Sequence, residues 1–321
     1  MKNLPCLLHV TKNILKDKHI DVPDEFLYLY FTNFNLKFNI YFPETYLIPK
    51  FDILISRVNT IDLKNDLGIE YTEYILENDS KRWDDVLTAV NNNNNVIVRG
   101  INTNLPLNND SFSQNVPTYI AIHKYNNFSK KIVISTHRFI EEIDLKMLIE
   151  FVSNGEKHGA EKNWLGKVNI SGLPIFTREY LLDLLLKKFK KEGYANPSKN
   201  IMNLKNGLNE LCKIENTTLR NIGFKNLSEQ FMHPYGPVAS RNRLEFVLRL
   251  LSNDNYIDPN ISLKYRVIYK EWEMLSLMFV KYFFKNNKDL LNRLFNKLDS
   301  IQEKEEEAFK LLLNYKRGTE V

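Results

Sequence analysis

Only two cysteines occur in 321 residues, Cys6 and Cys212, and they stand far apart. No disulfide framework is implied and no C-x-x-C pair offers metal-ligand spacing, so a reducing environment is expected. The six histidines show no His/Asp/Glu spacing that would hold a metal. No apolar run approaches the roughly 20 residues of a membrane span. The apolar patch at Leu4 to Leu8 is too short for the core of a secretion signal. A soluble, cytoplasmic protein with no membrane partner is expected. The net charge of +5 and pI near 8.9 are mildly basic. Both signs are spread along the chain, without the basic face and interleaved aromatics of a nucleic-acid binder, so no nucleic-acid partner is expected. There is no internal repeat.

What is present is ample material for a buried interior: 43% hydrophobic and 12% aromatic residues. The length favours two domains. In the first half, apolar spacing predicts a helix from Cys6 to His19, with Pro5 suited to its start. A short helix is predicted from Asp24 to Leu29. Period-two alternation over Phe31 to Phe42 predicts an extended segment. Further strands are expected at Phe51 to Val58 and Val96 to Val98, with a helix at Trp83 to Val90 between them. Tyr119 to His123 and Lys131 to Ser135 read as a hairpin turning at Asn126-Asn127. A helix is expected at Leu145 to Val152. From Arg178 onward the pattern is helical: Tyr180 to Lys191, Asn200 to Cys212, Arg241 to Leu251, Leu263 to Phe284 and Leu290 to Leu313. Glu303, Glu305, Glu306 and Glu307 on the last helix read as a solvated face. Gly155, Gly159, Gly166 and Gly172 mark a linker, which gives an α+β domain over residues 1–155 and an α-helical domain over residues 170–321.

Cys6 is the candidate nucleophile. A thiol in the first turn of a helix sits at the positive end of the helix dipole, which favours the thiolate. Thiolate is the reactive form in acyl transfer. A cysteine at a helix start, followed later by strands carrying His and Asp, is the arrangement papain-like folds use. Cys212 lies in a helix among apolar residues and reads as core.

Four segments carry a resemblance to a known family. They are "PCLLHVTKNIL" (5–15), "FNLKFNIYF" (34–42), "WDDVLTAVNNNNNVIVRGINTNLPL" (83–107) and "PTYIAIHKYNNFSKKIVIST" (117–136). In this order they resemble the butirosin biosynthesis protein H family, whose N-terminal domain is related to papain-like and C39-type peptidases. "SRNRLEFVLRLL" (240–251) and "YKEWEMLSLMFVK" (269–281) resemble the helical domain that follows it. The resemblance implies an acyltransferase of antibiotic biosynthesis, of the peptide or aminoglycoside type. Such an enzyme moves an acyl or peptidyl group from the phosphopantetheine thioester of a carrier protein, through Cys6, to an amine acceptor. It implies no bound cofactor, and an acyl or peptidyl carrier protein as partner.

The chain departs from the family at the base. The expected histidine aligns with Thr118 and the expected carboxylate near Thr136, and threonine is no general base near neutral pH. His137, just past Thr136, is the favoured substitute. His123 lies five residues from Thr118, an odd offset that directs it to the opposite sheet face. His9 is three residues from Cys6 on the same helix. Arg241 and Arg243 are candidates for binding the phosphopantetheine phosphate or an acidic carrier face. His233, in the turn-like "MHPYGP", is a candidate for lining a cleft. The alternative is a catalytically degenerate relative, a pseudoenzyme that serves as a scaffold for a carrier protein or pathway enzyme.

Overall fold

The computed structural model describes residues 6–32, 36–41, 50–54, 60–74, 79–92, 95–101, 117–136, 140–157, 165–191, 197–285 and 287–315. Its elements in chain order begin with α1 (Cys6–Asp17), α2 (Asp24–Phe31), β1 (Lys37–Tyr41), β2 (Lys50–Leu54), α3 (Thr60–Leu67) and β3 (Ile69–Tyr74). There follow α4 (Asp79–Asn91), β4 (Asn95–Ile101), β5 (Pro117–Asn126), β6 (Lys131–Ser135), β7 (Ile140–Asp144), α5 (Leu145–Lys157) and β8 (Leu165–Ile170). The helices α6 (Arg178–Lys191), α7 (Pro197–Cys212), α8 (Thr217–Met232), α9 (Pro237–Asn253), α10 (Pro259–Lys285) and α11 (Lys288–Leu313) complete the chain. The architecture is α+β, with a six-stranded antiparallel sheet and a helical unit that carries a two-stranded ribbon. Among the described residues, no helix is long and apolar enough to cross a membrane.

The sheet unit comprises Leu4–Val22 and Asn59–Pro174. Its strand order is β3-β8-β4-β5-β6-β7, all antiparallel. The sequence assigns the Gly-rich stretch near residue 166 to a linker. It instead supplies β8, an interior strand between β3 and β4, with Val168 buried. The β5–β6 hairpin forms as its sequence predicts. The Asn126 carboxamide oxygen accepts from the backbone N–H of Phe128 at 3.0 Å and Ser129 at 3.2 Å, and Lys130 takes φ +56° to close the turn.

The two faces of this sheet differ in chemistry. One packs Val96, Val98, Ile120, Ile122, Ile132 and Ile134 against Val86 and Val90 of α4 and Leu148 and Phe151 of α5. The other receives α1, which buries Leu7, Leu8, Val10, Thr11, Ile14 and Leu15. Directly opposed residues in a ladder share a face. Tyr71 opposes Val168, Val168 opposes Asn95, Ile97 opposes Ala121, and Ala121 opposes Ser135. With Arg99 paired to Tyr119, this second face collects most of the polar side chains of the sheet interior. The helix α1 ends with His19 at φ +56° and a bond from the Ile20 N–H to the Leu15 carbonyl, a Schellman closure.

The helical unit comprises Pro23–Val58 with Ile175–Val321, so the division of the chain differs from a simple cut in the linker. The helix α2 and the strands β1 and β2 pack with the C-terminal helices, α2 because it is apolar all round. Every residue from Phe26 to Phe31 is buried, against α6 and α9. Arg178 at the start of α6 reinforces this, bonding Glu25 of α2 at 2.5 Å and Asp254 at 2.6 Å. The ribbon β1–β2 lies on α7 and α8.

The last helix corrects one expectation. Glu303 and Glu307 are exposed, but Glu305 is buried. Leu290, Leu294, Leu298, Ile301, Glu305, Ala308 and Leu312 recur at steps of four or three, so Glu305 occupies a core position of an apolar stripe.

Candidate functional site

The site expected from sequence centres on Cys6, which opens α1 and is half-buried. Two anchors fix how α1 runs over the sheet. The Asn13 amide donates to the Thr136 carbonyl at 2.9 Å. At the C-terminal end, Asp17 Oδ2 lies 3.3 Å from His123 Nδ1. Thr136 follows Ser135, the partner of Ala121, so Asn13 sits level with Ile120. The Cys6 end of α1 therefore points toward the end of the β4–β5 pair where Arg99 opposes Tyr119.

His123 is held at both nitrogens. Ser135 Oγ lies 2.6 Å from Nε2, on the side opposite Asp17. With the Asp17 carboxylate as acceptor, neutral His123 carries its proton on Nδ1 and Nε2 accepts from the Ser135 hydroxyl. Ser135 is fully buried. A β-bulge places His123 as the extra residue between the Ile122–Ile134 and Lys124–Val133 pairs.

The odd offset between Thr118 and His123 does put them on opposite faces, but with the reverse consequence for the site. Thr118 pairs with Gly100, and a Cβ on Gly100 would run into Phe151 of α5. Thr118 thus faces α5, away from the face that α1 covers, and its hydroxyl is buried without a hydrogen-bond partner. His123 shares the α1 face, yet not the Cys6 end. Eleven residues of helix separate Cys6 from Asp17, about 16 Å of axis. The structure therefore does not assemble Cys6, Thr118 and His123 into one cluster. Thr136 is buried beside α1 and is reached by Asn13 through its backbone. His9 is half-buried on α1. His137 and His158, like Pro5, lie outside the described residues.

Other features of the α1 face were not singled out from sequence. Tyr71 is buried and donates its hydroxyl to Thr11 Oγ1, which itself donates to the Leu7 carbonyl at 2.7 Å. Burial raises the Tyr71 phenol, against a smaller lowering from Thr11. Asn95 Nδ2 and Arg99 Nε are buried without hydrogen-bond partners, and the Arg99 guanidinium lies 5.7 Å from the Tyr119 ring centroid. Their signal in the sequence is alternation: Tyr119, Ala121 and His123 interleave with Ile120 and Ile122. Among the described residues, no group of three His, Cys, Asp or Glu could hold a metal ion.

The residues expected to contact a carrier are corrected by their burial. Arg241 and Arg243 are each 1% exposed and present no guanidinium at the surface. Arg241 Nε pairs with Glu305 Oε1 at 2.6 Å, and Trp272 Nε1 donates to the same oxygen at 2.8 Å. Arg243 donates to Thr32 Oγ1 at 3.1 Å, the Phe31 carbonyl at 2.9 Å and the Pro234 carbonyl at 2.7 Å. It thereby ties the end of α2 to the turn before α9. Burial pushes its pKa down to about 10. His233 caps α8 as an exposed residue, and its Nδ1 accepts from the Tyr235 N–H at 3.3 Å. Desolvation and the Arg243 charge both lower its pKa. Cys212 closes α7 half-buried, and burial pushes its thiol up, which disfavours it as a nucleophile.

The chain matches no protein-family model and no curated protein.

Proposed function

We propose that this protein is an acyltransferase-like member of the butirosin biosynthesis protein H type, with a papain-like sheet unit in which Cys6 is the acyl acceptor. The observation that carries this reading is the position of Cys6: a half-buried thiol at the N-terminus of α1, the helix laid on the polar face of the antiparallel sheet. Cys6 thiolate attacks the carbonyl carbon of a carrier-bound thioester. The tetrahedral adduct collapses with loss of the phosphopantetheine thiolate, leaving an acyl thioester on Cys6. An amine then attacks that thioester, forms the amide, gives up its proton, and releases Cys6 as thiolate. His137 remains the proposed base. A cytoplasmic location accords with this reading.

A second reading, a scaffold that has lost the chemistry, is favoured by one observation. His123 is engaged with Asp17 and Ser135, about 16 Å of helix from Cys6. Intact-protein mass spectrometry after incubation with an acyl-pantetheine thioester separates the two. A stoichiometric acyl adduct in the wild type that disappears in Cys6→Ala supports the enzyme. No adduct, or an adduct on Cys212, leaves the scaffold.

A further inference from the structure

The helix α10 carries an outward face that its own fold leaves uncovered. Leu263, Val267, Met274, Leu277 and Phe284 are all exposed, Leu277 at 63% and Phe284 at 76%. They recur at steps of four, seven, three and seven, which keeps them on one side of the helix over about 31 Å. Lys270 and Lys281 fill the two intervening places in that heptad pattern, and Arg266 and Lys285 flank it, all four exposed. Of the two acidic residues of α10, Glu271 is bonded by Lys304 at 2.7 Å and by Lys297, and Glu273 pairs with Lys270 itself at 2.8 Å, which leaves Arg266, Lys281 and Lys285 to set the charge of this face. At its N-terminal end the stripe opens into a groove of about 860 Å³ against α11, where Leu263 and Val267 face Leu311. At its rim Lys264 pairs with Glu307 and Lys304 with Glu271, each at 2.7 Å, beside Asp258.

We infer that this face docks an acidic amphipathic helix of a partner protein, its apolar ridge on the stripe and its carboxylates opposite the basic residues. Contiguous exposed apolar side chains on a soluble fold mark interaction sites, and a helix laid along a groove is a recurrent mode of recognition. Charge decides the occupant. A second copy of this chain would set Lys and Arg against Lys and Arg across a two-fold axis, which is repulsive. A membrane surface would have to take Lys270 and Lys281 down the middle of the inserted stripe, where desolvating an ammonium is costly. An acidic helix satisfies both the apolar and the basic elements. The inference does not depend on chemistry at Cys6.

The test uses the full chain and two synthetic helical peptides with leucines at the same heptad spacing. One carries glutamates at the flanking positions, the other lysines. Binding is read by fluorescence anisotropy. The acidic peptide is expected to bind and the basic one not, with affinity falling as salt rises. The surface double reversal Lys270→Glu/Lys281→Glu should weaken the acidic peptide by about tenfold or more and admit the basic one. Leu277→Asp should abolish binding while leaving the thermal melt unchanged, and Cys6→Ala should leave binding intact. Equal binding of both peptides, or binding indifferent to these variants, overturns the inference. So does Leu277-dependent binding to phosphatidylserine vesicles without peptide binding, or a dimer in sedimentation that Leu277→Asp dissociates.

Discussion

Removing Glu305 should unfold the helical unit far more readily than removing the whole ion pair. Arg241 and Glu305 are each 1% exposed, and Glu305 Oε1 also takes the Trp272 indole N–H. Glu305→Leu leaves a guanidinium buried with its carboxylate gone, at a cost of about 3–5 kcal/mol. The Trp272 donor loses its acceptor as well, adding about 1 kcal/mol. For a unit of this size each kcal/mol lowers Tm by roughly 2–4 °C, so the single variant should melt about 8–24 °C lower. The double variant Arg241→Met/Glu305→Leu removes both charges and keeps apolar bulk. It loses the Trp272 bond but leaves no unpaired buried charge, and should lie within about 1–2 kcal/mol of wild type. Thermal melts followed by Trp fluorescence report directly, because Trp272 is itself buried at the pair. The reasoning fails if Glu305→Leu costs under about 1 kcal/mol, or if the double variant costs the sum of the singles.

Three further outcomes follow from the same structure. Tyr265 is buried with a hydroxyl that has no hydrogen-bond partner, and burial and Glu305 both raise its pKa; Tyr265→Phe should be neutral or stabilise by up to about 1 kcal/mol in urea unfolding. Arg243 is buried and donates to Thr32 and to the Phe31 and Pro234 carbonyls; Arg243→Gln leaves those acceptors short of their donor and should destabilise by about 1–3 kcal/mol, and an unchanged urea midpoint would contradict this. Gly100→Ala should destabilise the sheet unit by at least about 1–3 kcal/mol, because the new methyl meets the Phe151 ring and carbonyl with no room to give; an unchanged melt would show that α5 can yield there.

What the sequence conveys about this fold depends on whether a residue's surroundings are local. Five helices of the second half were legible because their apolar spacing repeats over several turns, whereas α8 was not singled out; the β5–β6 hairpin was legible because Asn126 writes its turn within a few residues. β8 was not legible. Its six residues contain a glycine, and it becomes a strand only by pairing with β3 and β4 on both sides. Glu305 was misread because four glutamates in five residues look solvated, whereas the stripe from Leu290 to Leu312 assigns position 305 to the core. The buried arginines were misread for the same reason: their partners are 64 residues away for Arg241 and 211 for Arg243.

The candidate site shows the same division between local and distant information. Cys6 at a helix start and the opposite parity of Thr118 and His123 can both be read from the sequence. Which sheet face α1 covers cannot, since Tyr71, Asn13 and Asp17 fix it through contacts 60, 123 and 106 residues apart in the chain. Once that face is known, the search for a base narrows to groups that share it and lie toward the Cys6 end. Thr118 fails the first condition and His123 the second. If Cys6 acts as proposed, its base belongs toward the Tyr119 end of β5, the end at which Arg99 opposes Tyr119. A carboxylate or imidazole there would meet a guanidinium whose Nε has no hydrogen-bond partner. That cation would hold a carboxylate ionised, and would disfavour the imidazolium that a histidine becomes on accepting the thiol proton.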